Sequence, residues 1–360
     1  MAAKKMNPLR VEQLVRGVVP PKALAADAAL PLKDKKGVEK KYGEFLSKVL
    51  GDPRKGMDLC HAMLLPRKES AEKLKEYEKR GRLEMPGAKL ERRGRASVVT
   101  MSNPRYLNAE DETTLVGLET AIDVATLDSK SEICVLRGGP VEHPKHAGRN
   151  LFGAGINLTH LYQGKIGYLW YLRRDLGLVN KLYRGLAKPG VSPEVDSTEK
   201  LWIAAVEGFA IGGHCQILLA VDYIVAAQDA YLTLPARKEG IIPGAANLRL
   251  ARFVGPSLAR QAILAERRID CDSPEGRMIC DEVVAPRDME SAIERLVERL
   301  TGSGVVSAAG NRRALRIEEE PLDAFRRYMS VYAREQAQCH FSPALIDNLE
   351  RNWDAANRRV

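Results

Sequence analysis

Aromatic residues are scarce: Phe, Trp and Tyr make up 6% of the 360 residues, too few for a surface built to stack nucleobases. Cysteine is sparse and scattered. Cys60, Cys134, Cys215, Cys271, Cys280 and Cys339 form no CxxC pair, so neither a zinc knuckle nor a disulfide framework is indicated. A reduced, cytoplasmic protein with no bound metal is the expectation. Long hydrophobic runs are missing too. The longest apolar region, 209–227, is interrupted by Gly212, Gly213, His214, Gln216 and Asp222, so no membrane span is expected. The opening residues Met1 to Pro8 have no apolar stretch after their lysines and do not read as a secretory leader. No tandem repeat or low-complexity tract is present. An excess of one charge sign is small: the net charge is +9 with 56 basic and 47 acidic side chains, so charges are mostly mixed. Such an excess suits a small anionic ligand and is a weak argument for nucleic acid.

What is present is enough apolar sequence, 45%, to bury a large core in one large domain or two to three smaller units. The first 95 residues are rich in Lys, Arg and Glu. Within them Val38, Tyr42, Phe45, Leu46, Val49 and Leu50 recur at helical spacing, and 70–80 reads as a second, highly charged helix. From about Ala96 the character changes. Residues 96–101, 133–137, 202–206 and 223–227 read as strands. Between them, Asn108 with Asp111 is expected to cap a helix running to about Leu127, and a further helix is predicted over 213–221. Alternating strands and helices indicate an α/β fold with parallel pairing. Helices are predicted at 257–265, 289–300 and 321–338. The expected division is a helical extension over 1–93, an α/β core over 94–285 and a helical oligomerisation region over 286–360.

Two glycine turns stand out, Phe152-Gly-Ala-Gly-Ile-Asn-Leu158 and Gly208-Phe-Ala-Ile-Gly-Gly-His-Cys-Gln216. Glycine lets a backbone N–H approach a ligand closely, and the first N–H groups of a helix are unpaired. Two such groups aimed at one point can stabilise a developing thioester enolate. The plainer reading of either motif alone is a tight turn. A possible metal pair, His143 and His146, lacks an obvious third ligand at metal spacing.

Together these motifs resemble the signatures of the crotonase (enoyl-CoA hydratase/isomerase) superfamily. Leu234-Pro235 followed by Glu239-Gly-Ile-Ile-Pro-Gly244 is similar to its third signature, and all three occur in order. The resemblance implies a spiral of ββα units with helical N- and C-terminal extensions, an acyl-CoA ligand, and oxyanion donors at the N–H groups of Ile156 and Gly213. It implies assembly as a homo-trimer or homo-hexamer. It also places Ala154, Gly155, Asn157, Leu158, His214, Cys215 and Ala245 at the acyl group. The loop carrying His143, Lys145, His146 and Arg149 is the candidate for the CoA phosphates.

The departures are informative. Hydratases of this superfamily use two glutamates to add water; here those positions hold Gln216 and Ala236. Neither an amide nor a methyl group transfers a proton as a carboxyl does, so simple hydration is disfavoured. Residues 155–162, 210–218, 234–249 and 335–343 are similar instead to the dihydroxyphenylacetyl-CoA dioxygenases of glycopeptide-antibiotic pathways. That resemblance implies oxidation of an arylacetyl-CoA by O2 with no metal or organic cofactor. Glu110 and one of Arg173 and Arg174, with Arg174 preferred, would then meet the ring hydroxyls. Gln216 would spare the carbanion from a protonated carboxyl. Ile241, Ile242 and Pro243 would give O2 a dry pocket. The rivals are a crotonase-fold hydratase, isomerase or thioesterase using another carboxyl, and a non-catalytic acyl-CoA-binding oligomer. The base that takes the α-proton is not readable from the sequence.

Overall fold

The computed structural model describes residues 9–358; the reading of Met1 to Pro8 lies outside them. Among the described residues twelve strands form three sheets. Strands β1 (Arg82–Met85), β2 (Ala88–Arg93), β3 (Ala96–Met101) and β4 (Ile133–Gly138) belong to a seven-stranded sheet. Next come β5 (Leu186–Ala187) and β6 (Ser197–Thr198), a separate pair, and then β7 (Trp202–Val206) and β8 (Phe209–Ile211). The last are β9 (Tyr223–Ala227), β10 (Tyr231–Thr233), β11 (Ile269–Asp270) and β12 (Glu282–Val284). The large sheet runs β1-β2-β3-β4-β7-β9-β12, and a small one runs β11-β10-β8. From β3 to β12 every pairing in the large sheet is parallel. The four parallel strands predicted from sequence are β3, β4, β7 and β9. They are almost wholly buried, which is why they read as continuous apolar runs.

The chain spirals by repetition. β7 enters the large sheet, β8 enters the small one, and helix Gly213–Leu218 follows. β9 and β10 repeat the pattern before helices Ala236–Glu239 and Ala246–Leu264. This is the α/β spiral of ββα units that the resemblance implies.

Four local expectations are corrected. The helical character expected before residue 94 ends at Arg80, and β1 and β2 form a hairpin that extends the large sheet. Its buried face is only Leu83, Ala88 and Leu90; the charged residues between them hid the two-residue period. The cap of helix Glu112–Leu127 is Asp111 alone, whose Oδ1 accepts from Thr113 N–H at 2.9 Å. Asn108 instead sits in left-handed backbone and donates its amide to the carbonyls of Gly139 and Leu151, each at 2.8 Å. The helix predicted at 213–221 ends at Leu218. The helix predicted at 257–265 begins at Ala246 and is broken at Gly255, directly before Pro256.

The terminal helices pack together. Helix Lys40–Gly51, the amphipathic one predicted at 38–50, lies along Leu322–His340. Gly43 makes this possible, because a Cβ there would collide with Ala337. The longer helix is thereby held against the core, where Tyr332 and Gln336 become buried. Among the described residues no helix is long and apolar enough to cross a membrane.

Candidate active site

The first glycine turn is stitched between two neighbours. Phe152 and Gly153 donate to Glu207 and Phe209, Ala154 donates to Leu107, and Asn157 donates to Glu110. Gly155 N–H donates to His214 Nδ1 at 2.9 Å. Between Phe152 and Asn157, Ile156 alone among the described residues has an N–H without an acceptor; the next free one, Leu158 N–H, opens the following helix. Buried backbone donors are rarely left unpaired, so that of Ile156 points to a ligand position. The second turn offers Gly213 N–H, at the start of helix Gly213–Leu218. The two turns meet at Gly155, whose φ is +80°. A Cβ built there would lie 2.8 Å from the Ile211 oxygen and 3.2 Å from Gly213 N. Only glycine lets these backbones approach so closely, and that brings Ile156 and Gly213 to the wall of one cavity.

The cavity is narrow, about 30 Å³. That is room for about two water molecules. Of the residues expected at the site, Ile156, Gly213, Gln216, Arg174, Ile241, Ile242 and Pro243 line it. Ala236, the alanine at the second glutamate position, does so as well. Trp170, Tyr171, Asp175, Gly212, Glu239 and Tyr332 complete the wall, and sequence reasoning assigned none of them to the site.

One polar network closes the cavity. Arg174 is 2% exposed and gives both Nε and Nη2 to Glu110, with Nη2 to Oε2 at 2.7 Å. Nη2 also reaches the Gly213 carbonyl at 2.7 Å, and Nη1 reaches Gln216 Oε1 at 2.8 Å and Asp175 Oδ1 at 3.2 Å. Burial opposes the charge of Arg174, but Glu110 and Asp175 outweigh it and keep its pKa above the ordinary value. Asp175 is buried and receives the Tyr332 hydroxyl; burial raises its pKa despite Arg174. The question left between the two arginines is settled by a π-helical segment, Arg174–Val179. The wider turn brings Arg174 inward, while Arg173 pairs with Glu112 at 2.7 Å. Glu110 lies before the helix cap, bridged to Ile156 in extended backbone, so its carboxylate answers Arg174 and not the helix terminus.

The remaining residues support the site or lie apart from it. His214 is fully buried, and its ring fills the space that a side chain on Gly153 would need. Burial pushes its pKa down to about 4, so it stays neutral and accepts from Gly155. Asn157 caps helix Leu158–Tyr162 and donates to Asp111 at 2.9 Å. Leu158 packs on the main core, Ala154 on a small cluster with Val141, Leu151 and Phe209, and Ala245 is buried before helix Ala246–Leu264. Cys215 is buried, its thiol pushed up to about 12 by desolvation. None of these six lines the cavity. His143, Lys145, His146 and Arg149 lie on a largely exposed loop away from it, where Arg149 pairs with Asp229 at 2.9 Å. His143 and His146 have ring centroids 5.7 Å apart, and no third metal ligand joins them among the described residues.

The ββα spiral thus carries two residues with free backbone N–H groups, Ile156 and Gly213, on the wall of one cavity. The chain belongs to the enoyl-CoA hydratase/isomerase family, whose model matches residues 91–320. It is 45% identical over 338 residues to a (3,5-dihydroxyphenyl)acetyl-CoA 1,2-dioxygenase of Amycolatopsis orientalis, covering 91% of this chain and 77% of that one. A short-chain-enoyl-CoA hydratase of Clostridium acetobutylicum is 28% identical over 65% of this chain and 82% of its own. Among solved structures, an enoyl-CoA hydratase/isomerase from Xanthobacter autotrophicus Py2 superposes with a TM-score of 0.62 at 21% identity, over 77% of this chain and all of that one. That likeness concerns the fold alone.

Proposed function

We propose that this protein is a dioxygenase that needs no metal or organic cofactor. It converts 3,5-dihydroxyphenylacetyl-CoA, or a related arylacetyl-CoA, and O2 to the arylglyoxylate and free CoA. One observation carries the reading: the cavity beneath the free Ile156 and Gly213 N–H groups presents Gln216 and Ala236 in place of two glutamates. The similarity to the Amycolatopsis orientalis dioxygenase supports it.

The thioester oxygen would accept from both N–H groups, which acidifies the α-carbon. The carbanion, conjugated with an electron-rich ring, passes an electron to O2, and the pair combine to a peroxide at the α-carbon. The peroxide attacks the thioester carbonyl and CoA thiolate leaves. Loss of the second α-proton then forms the ketone as the O–O bond breaks. Ile241, Ile242 and Pro243 form an apolar wall for O2 in a cavity of matching size. The aryl ring does not fit the cavity as it stands, so the wall must open. Arg174 and Glu110 are proposed to release part of their mutual pairing to the ring hydroxyls. The His143–Arg149 loop is proposed to take the CoA phosphates, and the assembly to be a cytoplasmic homo-trimer or homo-hexamer.

Metal-stripped protein mixed with 3,5-dihydroxyphenylacetyl-CoA should consume O2 and release CoA in equal amounts. No O2 consumption, or strict dependence on added iron or flavin, refutes the reading. Gln216→Glu should lower O2 consumption per α-proton removed. A carboxyl at that position returns a proton to the carbanion faster than an amide can. Unchanged coupling counts against this role for Gln216.

A further inference from the structure

One buried carboxyl on the cavity has no task in the scheme above. Glu239 ends the one-turn helix Ala236–Glu239, and Gly240, in left-handed backbone at φ +84°, stops the helix there. Glu239 lines the same cavity as Gly213 and the apolar wall of Ile241, Ile242 and Pro243, beside Gly212. A Cβ on Gly212 would lie 3.9 Å from one Glu239 oxygen and 4.0 Å from the other. The residue is 4% exposed, yet among the described residues its carboxylate has no hydrogen bond or ion pair. A buried carboxylate without a partner is costly, and Arg174 is turned toward Glu110, Asp175 and Gln216.

We propose that Glu239 is the catalytic base that takes the α-proton of the bound thioester. The inference rests on the proposed function only for the identity of the thioester. As Glu239 takes the proton, the C–H pair becomes the enolate double bond, and negative charge moves to the oxygen held by Ile156 and Gly213. When the peroxide expels CoA thiolate, protonated Glu239 gives its proton to the sulfur. The regenerated carboxylate takes the second α-proton: that C–H pair forms the ketone, the O–O bond breaks, and the carboxylate product keeps the electron pair.

The surroundings suit this use. Burial pushes the Glu239 pKa up to about 8, with Glu266 adding to the rise and Lys238 opposing it. Tyr171 and Tyr332, also on the cavity, stay neutral because burial raises their pKa values. His340, behind Tyr171, is held neutral as well, its pKa lowered to about 3 by burial. A carboxyl near the working pH is a stronger base than an ordinary glutamate and, once protonated, a weaker acid. It therefore returns the proton to carbon less readily than a residue of normal pKa, which reconciles a carboxyl here with the amide at Gln216.

The test is exchange of the α-hydrogens of 3,5-dihydroxyphenylacetyl-CoA in D2O without O2, followed by NMR. Wild-type protein should exchange them, with a rate that rises with pH and levels above about 8. Glu239→Gln should slow exchange by about 10²–10⁴-fold while still binding the thioester, and should lose the pH-dependent limb. Glu239→Asp should recover part of the rate. Wild-type exchange by a folded, thioester-binding Glu239→Gln overturns the proposal. So does a wild-type profile without that limb, or a wild-type protein that exchanges nothing, and either is readable even if the glutamine variant does not fold. Exchange that depends on Glu239 with no O2 consumption in air would remove the dioxygenase reading and leave the base in place.

Discussion

Gly155→Ala should lower kcat for O2 consumption by about 10²–10³-fold, the scale seen when one oxyanion donor is lost. The added Cβ would stand 2.8 Å from the Ile211 oxygen and 3.2 Å from Gly213 N. Both are backbone atoms, so neither can rotate aside as a side chain would. The backbone at 155 is also left-handed, a conformation that costs a non-glycine residue about 1–2 kcal/mol. The turn must shift, and Ile156 N–H shifts with it, as does the bond from Gly155 N–H to His214. Because the loss falls on a charge that develops during reaction, kcat should drop far more than KM rises. Steady-state O2 uptake, with a thermal melt to confirm folding, gives the answer. A folded variant with the kcat of the unsubstituted protein would refute the proposed role of Ile156 N–H as an oxyanion donor.

Arg174→Met should destabilise the fold by about 3–5 kcal/mol at neutral pH and abolish turnover. Arg174 is the cation shared by Glu110, Asp175 and the Gln216 amide, all buried. Without it two carboxylates lose their charge partner in a desolvated site. The pH dependence has a definite sign. Asp175 already has a raised folded-state pKa, chiefly from burial, so its charged form costs stability as pH rises from the ordinary carboxylate value through the folded one. Removing Arg174 raises that pKa further. The deficit of the variant should therefore be largest at neutral and alkaline pH and should shrink toward pH 5. Urea unfolding at several pH values measures it. Arg173→Met is the control, expected to cost no more than about 1 kcal/mol because its partner Glu112 is partly solvated. Equal losses for both arginines would defeat the assignment.

The parts of the site legible in the sequence are those set by near neighbours in the chain. The glycines of the two turns, the helix start at Gly213, and Ile241 to Pro243 each follow from a run of under ten residues. The resemblance of these runs to the superfamily's signatures is what marked Ile156 and Gly213 as the expected donors. Gln216 and Ala236 were visible for the same reason, since both sit inside recognisable runs. Legibility failed where a distant element decided a side chain's direction. Arg173 and Arg174 are adjacent, and only a π-helical turn selects one. Glu110 stands between the two residues expected to cap a helix, and only the bridge to Ile156 shows that it lies outside that helix. Glu239 was legible only as part of the third signature, with no role attached, and its burial on the cavity shows in the fold alone.

The sequence by itself determined the parallel α/β core and the two glycine turns, because these depend on period, glycine and local spacing; the replacement of both hydratase glutamates was legible through the resemblance of short local runs to the superfamily's signatures. Only the tertiary structure decided which polar groups face the cavity. Helix Leu322–His340, more than a hundred residues beyond the second turn, brings Tyr332 to its wall and Gln336 to the Ile242 N–H at 2.9 Å. That placement depends on packing against helix Lys40–Gly51 at the other end of the chain. Burial, charge partner and pKa are properties of neighbours in space, which a linear pattern does not contain.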